Sequence, residues 1–271
     1  MVTITTLIDN SAPFNKKLAS EHGLAFLIEK GNKKILFDTG ASGAFIKNGQ
    51  LLDKDLSSLD HIVISHRHWD HGGGLMPLLD KYTYPSLKLW SGKGFEKEKY
   101  GDDGRVLGLS ITRQDLNRHK VMWHSVCSDT VMLYRGVWLL TDFKRHSDTA
   151  PHNPRFRLED GSVDPFEDEV ALLVDTPKGL ILIVGCSHPG ILNIVDTAME
   201  RFNRPFYALL GGIHLSDASA ERRAEVVNWL LASPIEYLGL CHCSGKEAIE
   251  MVKKHHKRFL DVRSGFTLTI V

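Results

Sequence analysis

Cysteine is scarce in this chain: Cys127, Cys186, Cys241 and Cys243 are its four thiols in 271 residues. Four unevenly placed cysteines do not make the disulfide framework that staples small secreted domains, so reduced thiols are expected. An excess of charge of either sign is also lacking. Thirty-three basic residues balance thirty-three acidic ones, and no overall field favours nucleic acid or an anionic membrane as partner. Long apolar runs are missing as well, since no segment approaches the ~18 uninterrupted residues that cross a bilayer. The opening MVTITTLIDN has neither a charged n-region nor an apolar h-region. Together these absences lead to the expectation of a soluble cytoplasmic protein acting on a small molecule. Histidine, by contrast, is plentiful: there are fourteen, several of them beside glycines where apolar strands end, and that pattern directs attention to metals.

The first seventy residues read as strands with tight connections. Thr3 to Ile8 is apolar, and Leu24 to Ile28, Gly31-Asn32 and Ile35 to Phe37 form a hairpin pattern that ends in Asp38-Thr39-Gly40. Ser42 to Leu52 carries Phe45, Ile46, Leu51 and Leu52 at helical spacing, and Ile62-Val63-Ile64 reads as a buried strand. Residues from about 77 to about 165 are less regular, with apolar stretches at Val131 to Tyr134 and Val137 to Leu140, and are expected to form an insertion over the site. Order returns with strands at Glu169 to Asp175, Leu180 to Val184, Tyr207 to Leu210 and Leu238 to Leu240. Helices are expected at Ile191 to Phe202 and Ala218 to Ala232. A single domain over 1–271 with an insertion at about 77–165 is therefore expected, the 42% hydrophobic and 24% charged content being that of a globular chain.

The strongest chemical signal is Ser65-His66-Arg67-His68-Trp69-Asp70-His71-Gly72-Gly73-Gly74, which follows a buried strand directly. Imidazole and carboxylate are ligands of zinc, manganese and iron, and a loop at a strand end can turn alternate side chains toward one point. His66 and His68, two apart, can face the same way. Asp70 and His71 can then reach a second ion beside the first, and the glycines permit close backbone approach.

This loop resembles the H-x-H-x-D-H signature of the metallo-β-lactamase superfamily, and the resemblance extends over essentially the whole chain. It implies an α/β fold, an αββα sandwich with helices outside two sheets and the inserted, partly irregular region over the site. It also implies two divalent metal ions, zinc foremost, with manganese, iron or magnesium as alternatives. By the same resemblance one ion takes His66, His68 and His188 of Gly-Cys-Ser-His-Pro-Gly, and the other takes Asp70, His71 and His242 of Cys-His-Cys-Ser-Gly. Asp38 is implied as the carboxylate that orients the ligands. Many members of the superfamily also place a bridging Asp at the strand end between the third and fourth histidines, where this chain has Leu210-Gly211-Gly212-Ile213-His214. His214 can then be a substitute ligand, a general acid, a phosphate contact or a structural histidine, and a role at the site is preferred.

Four strings are similar to one subgroup, the dihydropterin/ribofuranosylaminobenzene phosphate synthase-like proteins. They are Glu21-His22-Gly23-Leu24, Gly185 to Ile191, Gly211 to Leu215 and His242 to Gly245; Asp164 to Glu169 is similar as well. Arg67 and Thr141-Asp142-Phe143-Lys144-Arg145 depart from the subgroup's pattern, and both are expected near the substrate. Cys186, Cys241 and Cys243 flank ligands and are expected to be mainly packing residues that point away from the metals. Trp69 is expected to wall the pocket. His255-His256 reads as a solvated helix face. His119, His124, His146, His152, Arg145, Arg155 and Arg157 fall in the insertion and are candidates for binding an anion.

The expected activity is that of a hydrolase using a hydroxide held at the metals to attack a small anionic ester, lactone, thioester or phosphoester, with Asp70 and His214 as catalytic groups. Two alternatives stay open. One is a pterin-type synthase, a transferase in which the ions bind a diphosphate leaving group; the other is a non-catalytic metal-binding sensor.

Overall fold

A computed structural model of the chain describes residues 1–145 and 155–271. Its first part runs β1 (Val2–Ile8), β2 (Ala25–Lys30), β3 (Lys33–Phe37), α1 (Ala44–Leu51), β4 (His61–Val63), a short α2 (Trp69–Gly72), α3 (Leu75–Lys81), β5 (Lys88–Gly92), β6 (Lys99–Gly101), α4 (Arg113–Arg118) and β7 (Met122–Val126). The second part runs β8 (Thr130–Tyr134), β9 (Val137–Leu140), β10 (Phe156–Leu158), β11 (Ala171–Thr176), β12 (Gly179–Val184), α5 (Ile191–Arg201), β13 (Phe206–Gly211), α6 (Ala220–Ala232), β14 (Tyr237–Leu240), α7 (Lys246–Lys253) and β15 (Thr267–Ile270). Seven strands form one sheet in the order β15-β1-β2-β3-β4-β5-β7, and six form another in the order β14-β13-β12-β11-β9-β8. β6 and β10 pair as a separate antiparallel ribbon.

Alternation along the strands decides which layers touch. In β12, Leu180, Leu182 and Val184 pack outward with Ile194 of α5, Val227 of α6 and Ala248 of α7. Ile181 and Ile183 face the other way and meet Phe26, Ile28 and Phe37 of the first sheet. On the far side of that sheet, Leu36, Ile62 and Leu89 are covered by Phe45 and Ile46 of α1 and by Leu75 and Leu78 of α3. The result is the expected αββα sandwich. α5 shows the helical version of the same rule, burying Ile191, Ile194, Val195 and Ala198 at three- and four-residue spacing.

The span 77–165 is more integral than an insertion. It gives β5 and β7 to the first sheet and β8 and β9 to the second, and among its described residues β6, α4 and β10 stand outside both. β5 and β7 escaped the sequence reading because they are short and only partly buried, and the proline and glycines beside β5 make that stretch read as loop. Among the described residues, no helix is long and apolar enough to cross a membrane.

The topology places the chemistry. β3, β4, β5 and β7 run parallel, as do β12, β13 and β14. Asp38, the histidine loop, Cys186 to His188, Gly212 to His214 and Cys241 to Cys243 all follow the carboxyl ends of these strands, the usual ligand-binding edge of parallel sheets. Gly185 seals the junction: a Cβ there would collide with the Ser65 side chain across the two sheets.

Candidate metal centre

Asp38 ends β3 in a left-handed conformation, φ 60°, which turns its buried carboxylate toward the histidine loop. Oδ1 accepts the Ser65 N–H (2.7 Å) and Oδ2 accepts the Ser65 hydroxyl (2.8 Å). Oδ2 also lies 2.7 Å from His71 Nδ1, which leaves His71 Nε2 facing the site. His66 Nδ1 likewise meets Ser65 Oγ at 2.9 Å, and His242 Nδ1 meets Asn10 Oδ1 at 2.8 Å. Fixing one ring nitrogen presents the other as a lone pair, the arrangement metal-binding histidines need. Behind the loop, Gly73 and Gly74 abut the backbone of residues 39–42 so closely that no Cβ fits at either position.

Two donor clusters result. The ligand atoms of His66, His68 and His188 lie within 4.8 Å of one another, and so do those of Asp70, His71 and His242. Either set is close enough for one ion, with bonds of about 2.0–2.2 Å, to gather after small side-chain adjustments. His66 Nε2 stands 3.1 Å from His68 Nδ1, and His71 Nε2 stands 3.1 Å from His242 Nε2. Asp70 Oδ2 lies 3.3 Å from His242 Nε2 and 3.8 Å from His71 Nε2. The buried Nε2 atoms of His68 and His188 have no hydrogen-bond partner. Lone pairs crowded together in this way repel unless a cation or protons lie between them, and protons are disfavoured in the first cluster. Burial, with the neighbouring imidazoles, holds His66 and His188 well below the usual histidine range. Burial takes His68 down to about 3. The donor set therefore fits divalent metal binding.

Charge is distributed unequally between the clusters. Burial opposes ionisation of Asp70, but His71, His22 and His242 outweigh it and hold the carboxyl well below its usual range. His71 is buried too, yet the carboxylates of Asp38 and Asp70 raise it. The first cluster is thus neutral and the second carries an anion. Phe166 stacks on His188 with ring centroids 3.8 Å apart, and Phe156 meets His68 and His188 at 5.1 Å, so apolar rings wall the neutral cluster.

Both clusters open into one cleft of about 410 Å³, which Trp69, Arg105, Arg155, Phe156 and His214 also line. Trp69 keeps 41% of its surface exposed at this mouth. The His214 ring centroid lies 4.4 Å from that of His188, and burial together with His242 lowers its pKa to about 4. Arg155 pairs with Asp217 at the rim.

Two expectations fail here. The Arg67 side chain is buried and turns away from the cleft, donating to the carbonyls of Phe95 and Leu109 and to Glu98. Thr141, Asp142, Phe143 and Arg145 line a separate cavity of about 280 Å³, with Arg145 bonded to the Phe166 carbonyl. Neither departure from the subgroup's pattern therefore touches the metal cleft. Of the other anion candidates, His119 pairs with Asp80, His124 stacks on Trp90 and Arg157 bonds to the Gly161 carbonyl. His146 and His152 lie outside the described residues. His255 is exposed just beyond α7.

The sequence profile of the metallo-beta-lactamase superfamily matches residues 21–191. This chain belongs to that superfamily. A relative from Methanocaldococcus jannaschii, named 7,8-dihydropterin-6-methyl-4-(beta-D-ribofuranosyl)-aminobenzene-5'-phosphate synthase, is 31% identical over 272 residues, covering 94% of this chain and 92% of its own length. A solved structure described as a metal-dependent hydrolase of the beta-lactamase superfamily is 29% identical, with a TM-score of 0.85 and coverage of 100% and 99%. Zn(2+)-bound PqqB from Methylobacterium extorquens, 12% identical with a TM-score of 0.61 and coverage of 99% and 100%, shares the fold.

Within this superfamily member, His22 and Asn10 were not anticipated as site residues. His22 Nε2 lies 3.2 Å from Asp70 Oδ2, and that hydrogen bond, against the opposing effect of burial, raises the histidine's pKa. The Glu21-His22-Gly23 string was its available signal. Asn10 had none, because its role depends on β1 and β14 ending side by side in space. Cys186 and Cys243 also differ from expectation. Ser187 and His242 take left-handed conformations, φ 61° and 53°, so extended-strand alternation does not apply and both thiols line the cleft.

Proposed function

We propose that this chain is a dinuclear, zinc-preferring hydrolase of a small anionic ester, lactone, thioester or phosphoester. The observation that carries this reading is the opening of both donor clusters into one cleft, with the Asp70 carboxylate beside the second. Bound divalent ions would supply Lewis acidity and lower the pKa of a water held there. His66, His68 and His188 would hold one ion, and Asp70, His71 and His242 the other. Asp70 is placed to orient the attacking water and take its proton, while His22 fixes the carboxylate from the solvent side. His214, neutral at pH 7, can accept a hydrogen bond or donate one to the substrate. Arg105 and Arg155 at the mouth suit an anionic substrate, and Phe156 with Phe166 excludes water behind it.

A second reading, transfer with a diphosphate leaving group, is supported by the 31% identical synthase. The same cleft would then hold the diphosphate at the ions while Trp69 offers a face for a planar ring. Elemental analysis of purified protein, followed by ester, lactone, phosphodiester and diphosphate substrates with and without added metal, separates the two. Metal-dependent hydrolysis without a second substrate supports the hydrolase. Diphosphate release only when an aminobenzene acceptor is present supports the transferase. Retention of metal with no turnover in either assay would favour a binding module. His214→Ala adds resolution: loss of bound metal marks a ligand, and full metal content with a rate loss of about 10²–10⁴-fold marks an acid–base group.

A further inference from the structure

The place where many relatives put a bridging carboxylate is already filled by sulfur. A Cβ at Gly212 would lie 2.5 Å from Cys243 Sγ and 2.6 Å from the Gly185 carbonyl oxygen, so no aspartate fits there. Cys186 Sγ stands 3.1 Å from His71 Nε2. Its sulfur, with the ligand nitrogens of His66 and His71, forms a further donor set in which all atoms lie within 4.8 Å of one another. Cys186, His242 and Cys243 form another. Cys186 is therefore grouped with His66 of the first cluster and with His71 and His242 of the second, and Cys243 backs it from the second.

A buried free cysteine usually behaves as a small apolar side chain, and this chain contains such a cysteine for comparison. Cys241 packs among the apolar residues between the sheets. Cys186 and Cys243 belong to none of the three apolar clusters, and their neighbours are imidazole nitrogens and backbone carbonyls. The Cys243 sulfur makes a long contact, 3.7 Å, to the Cys186 carbonyl oxygen and a side-chain contact to the Cys186 thiol.

We propose that Cys186 is a thiolate ligand placed between the two histidine clusters, with Cys243 supporting it, so that sulfur replaces the missing bridging carboxylate. This rests on the metal-binding reading above. The S–H proton passes to solvent as the sulfur–metal bond forms. A soft anionic donor selects zinc, cobalt or ferrous iron over magnesium and manganese, and it supplies the negative charge between two cations that Gly212 cannot.

The test is anaerobic loading of the full-length protein with cobalt under a non-thiol reductant, read by absorption spectroscopy and metal analysis. Wild type should show a sulfur-to-cobalt charge-transfer band. Cys186→Ser should lose that band and weaken binding of the second ion, and Cys243→Ser should lower metal affinity by about 10–100-fold. Cys241→Ser should leave the band intact. In the loaded wild type, exposed Cys127 should react with a thiol reagent while Cys186 is protected. Circular dichroism identifies a serine variant that fails to fold, and in that case the wild-type band and the protection pattern decide. Two bound cobalt ions without the band, or a band that survives Cys186→Ser, overturns thiolate ligation and leaves the metal centre standing. Failure of wild type to bind cobalt overturns both.

Discussion

Among the described residues, Asp70 carries the only carboxylate in the two donor sets of three, and its surroundings show what its loss would do. Its Oδ2 faces His22, His71 and His242 within 3.2–3.8 Å, whereas the first cluster of His66, His68 and His188 needs no acid. Asp70→Ala should therefore empty the second position and leave the first at least partly filled, as counted by metal analysis after gel filtration. Loss of all metal would mean that the two positions fill only together. The histidine loop was legible in the sequence because its ligands are contiguous and its chemistry is unusual. His188, His242 and Asp38 were legible through strand ends and resemblance. Asn10, Cys186 and Cys243 were not, because their placement depends on backbone turns and on contacts between strands far apart in the chain. A second prediction concerns His61, away from the cleft. Its Nδ1 accepts the Trp90 indole N–H at 3.1 Å, and burial holds its pKa down to about 4. Between that value and the ordinary one of about 6.5, the unfolded chain binds a proton that the folded chain refuses, so stability rises with pH through this window. The cost appears as pH falls below about 6.5 and is complete below about 4. The urea midpoint of His61→Gln should therefore drop less than that of wild type on acidification across this range. Parallel curves would show that His61 protonates freely in the fold.

At the scale of elements, the β6–β10 ribbon is joined to the histidine loop by one buried cation. Lys99 of β6 donates to Asp164 Oδ2 (2.6 Å) and Asp168 Oδ1 (2.7 Å), with all three side chains nearly inaccessible. Asp168 Oδ2 in turn accepts the Arg67 N–H at 2.9 Å, so the ammonium acts through one carboxylate on the segment between His66 and His68. Phe166, which stacks on His188, lies 4.8 Å below the same ammonium. Lys99→Met leaves two buried carboxylates without a counter-charge and should cost about 3–5 kcal/mol in urea unfolding. Adding Asp164→Asn, which removes one stranded charge, should recover part of that loss; if it does not, the damage comes from packing. The sequence disclosed Asp164 to Glu169 as a string without disclosing its partner, because Lys99 sits in a span rich in glycine and charge that reads as loop. The main helices were easier. α1, α5 and α6 carry apolar residues at helical spacing and lie within two residues of where that spacing puts them. α3 and α7 were missed: α3 begins on a glycine without a side-chain cap, and α7 buries only Ala248 and Val252.

Across the whole molecule, the two sheets contribute different parts of one centre. The first supplies Asp38 and the loop from His66 to His71, and the second supplies His188 and His242 from the ends of β12 and β14. An ion held by His66, His68 and His188 therefore ties one sheet to the other, and so does an ion held by Asp70, His71 and His242. Unfolding separates these ligands, so metal held by the folded chain would stabilise it by mass action. At free metal 100 times the dissociation constant the gain is about 2.7 kcal/mol per ion. With an unfolding entropy near 2 cal/mol/K per residue, that gain raises the thermal midpoint of a chain this long by about 5 °C. Chelation followed by graded return of zinc should thus move the midpoint upward with the logarithm of free metal. His188→Ala should blunt the shift as strongly as His66→Ala, although the two residues sit on different sheets. The apolar layer between the sheets, built from residues such as Phe26, Phe37, Ile181 and Ile183, persists without metal, so the chelated protein should still unfold in one cooperative step. Two separate transitions after chelation would mean that the sheets are held together mainly by the ions and that the inter-sheet core contributes less than its extent implies.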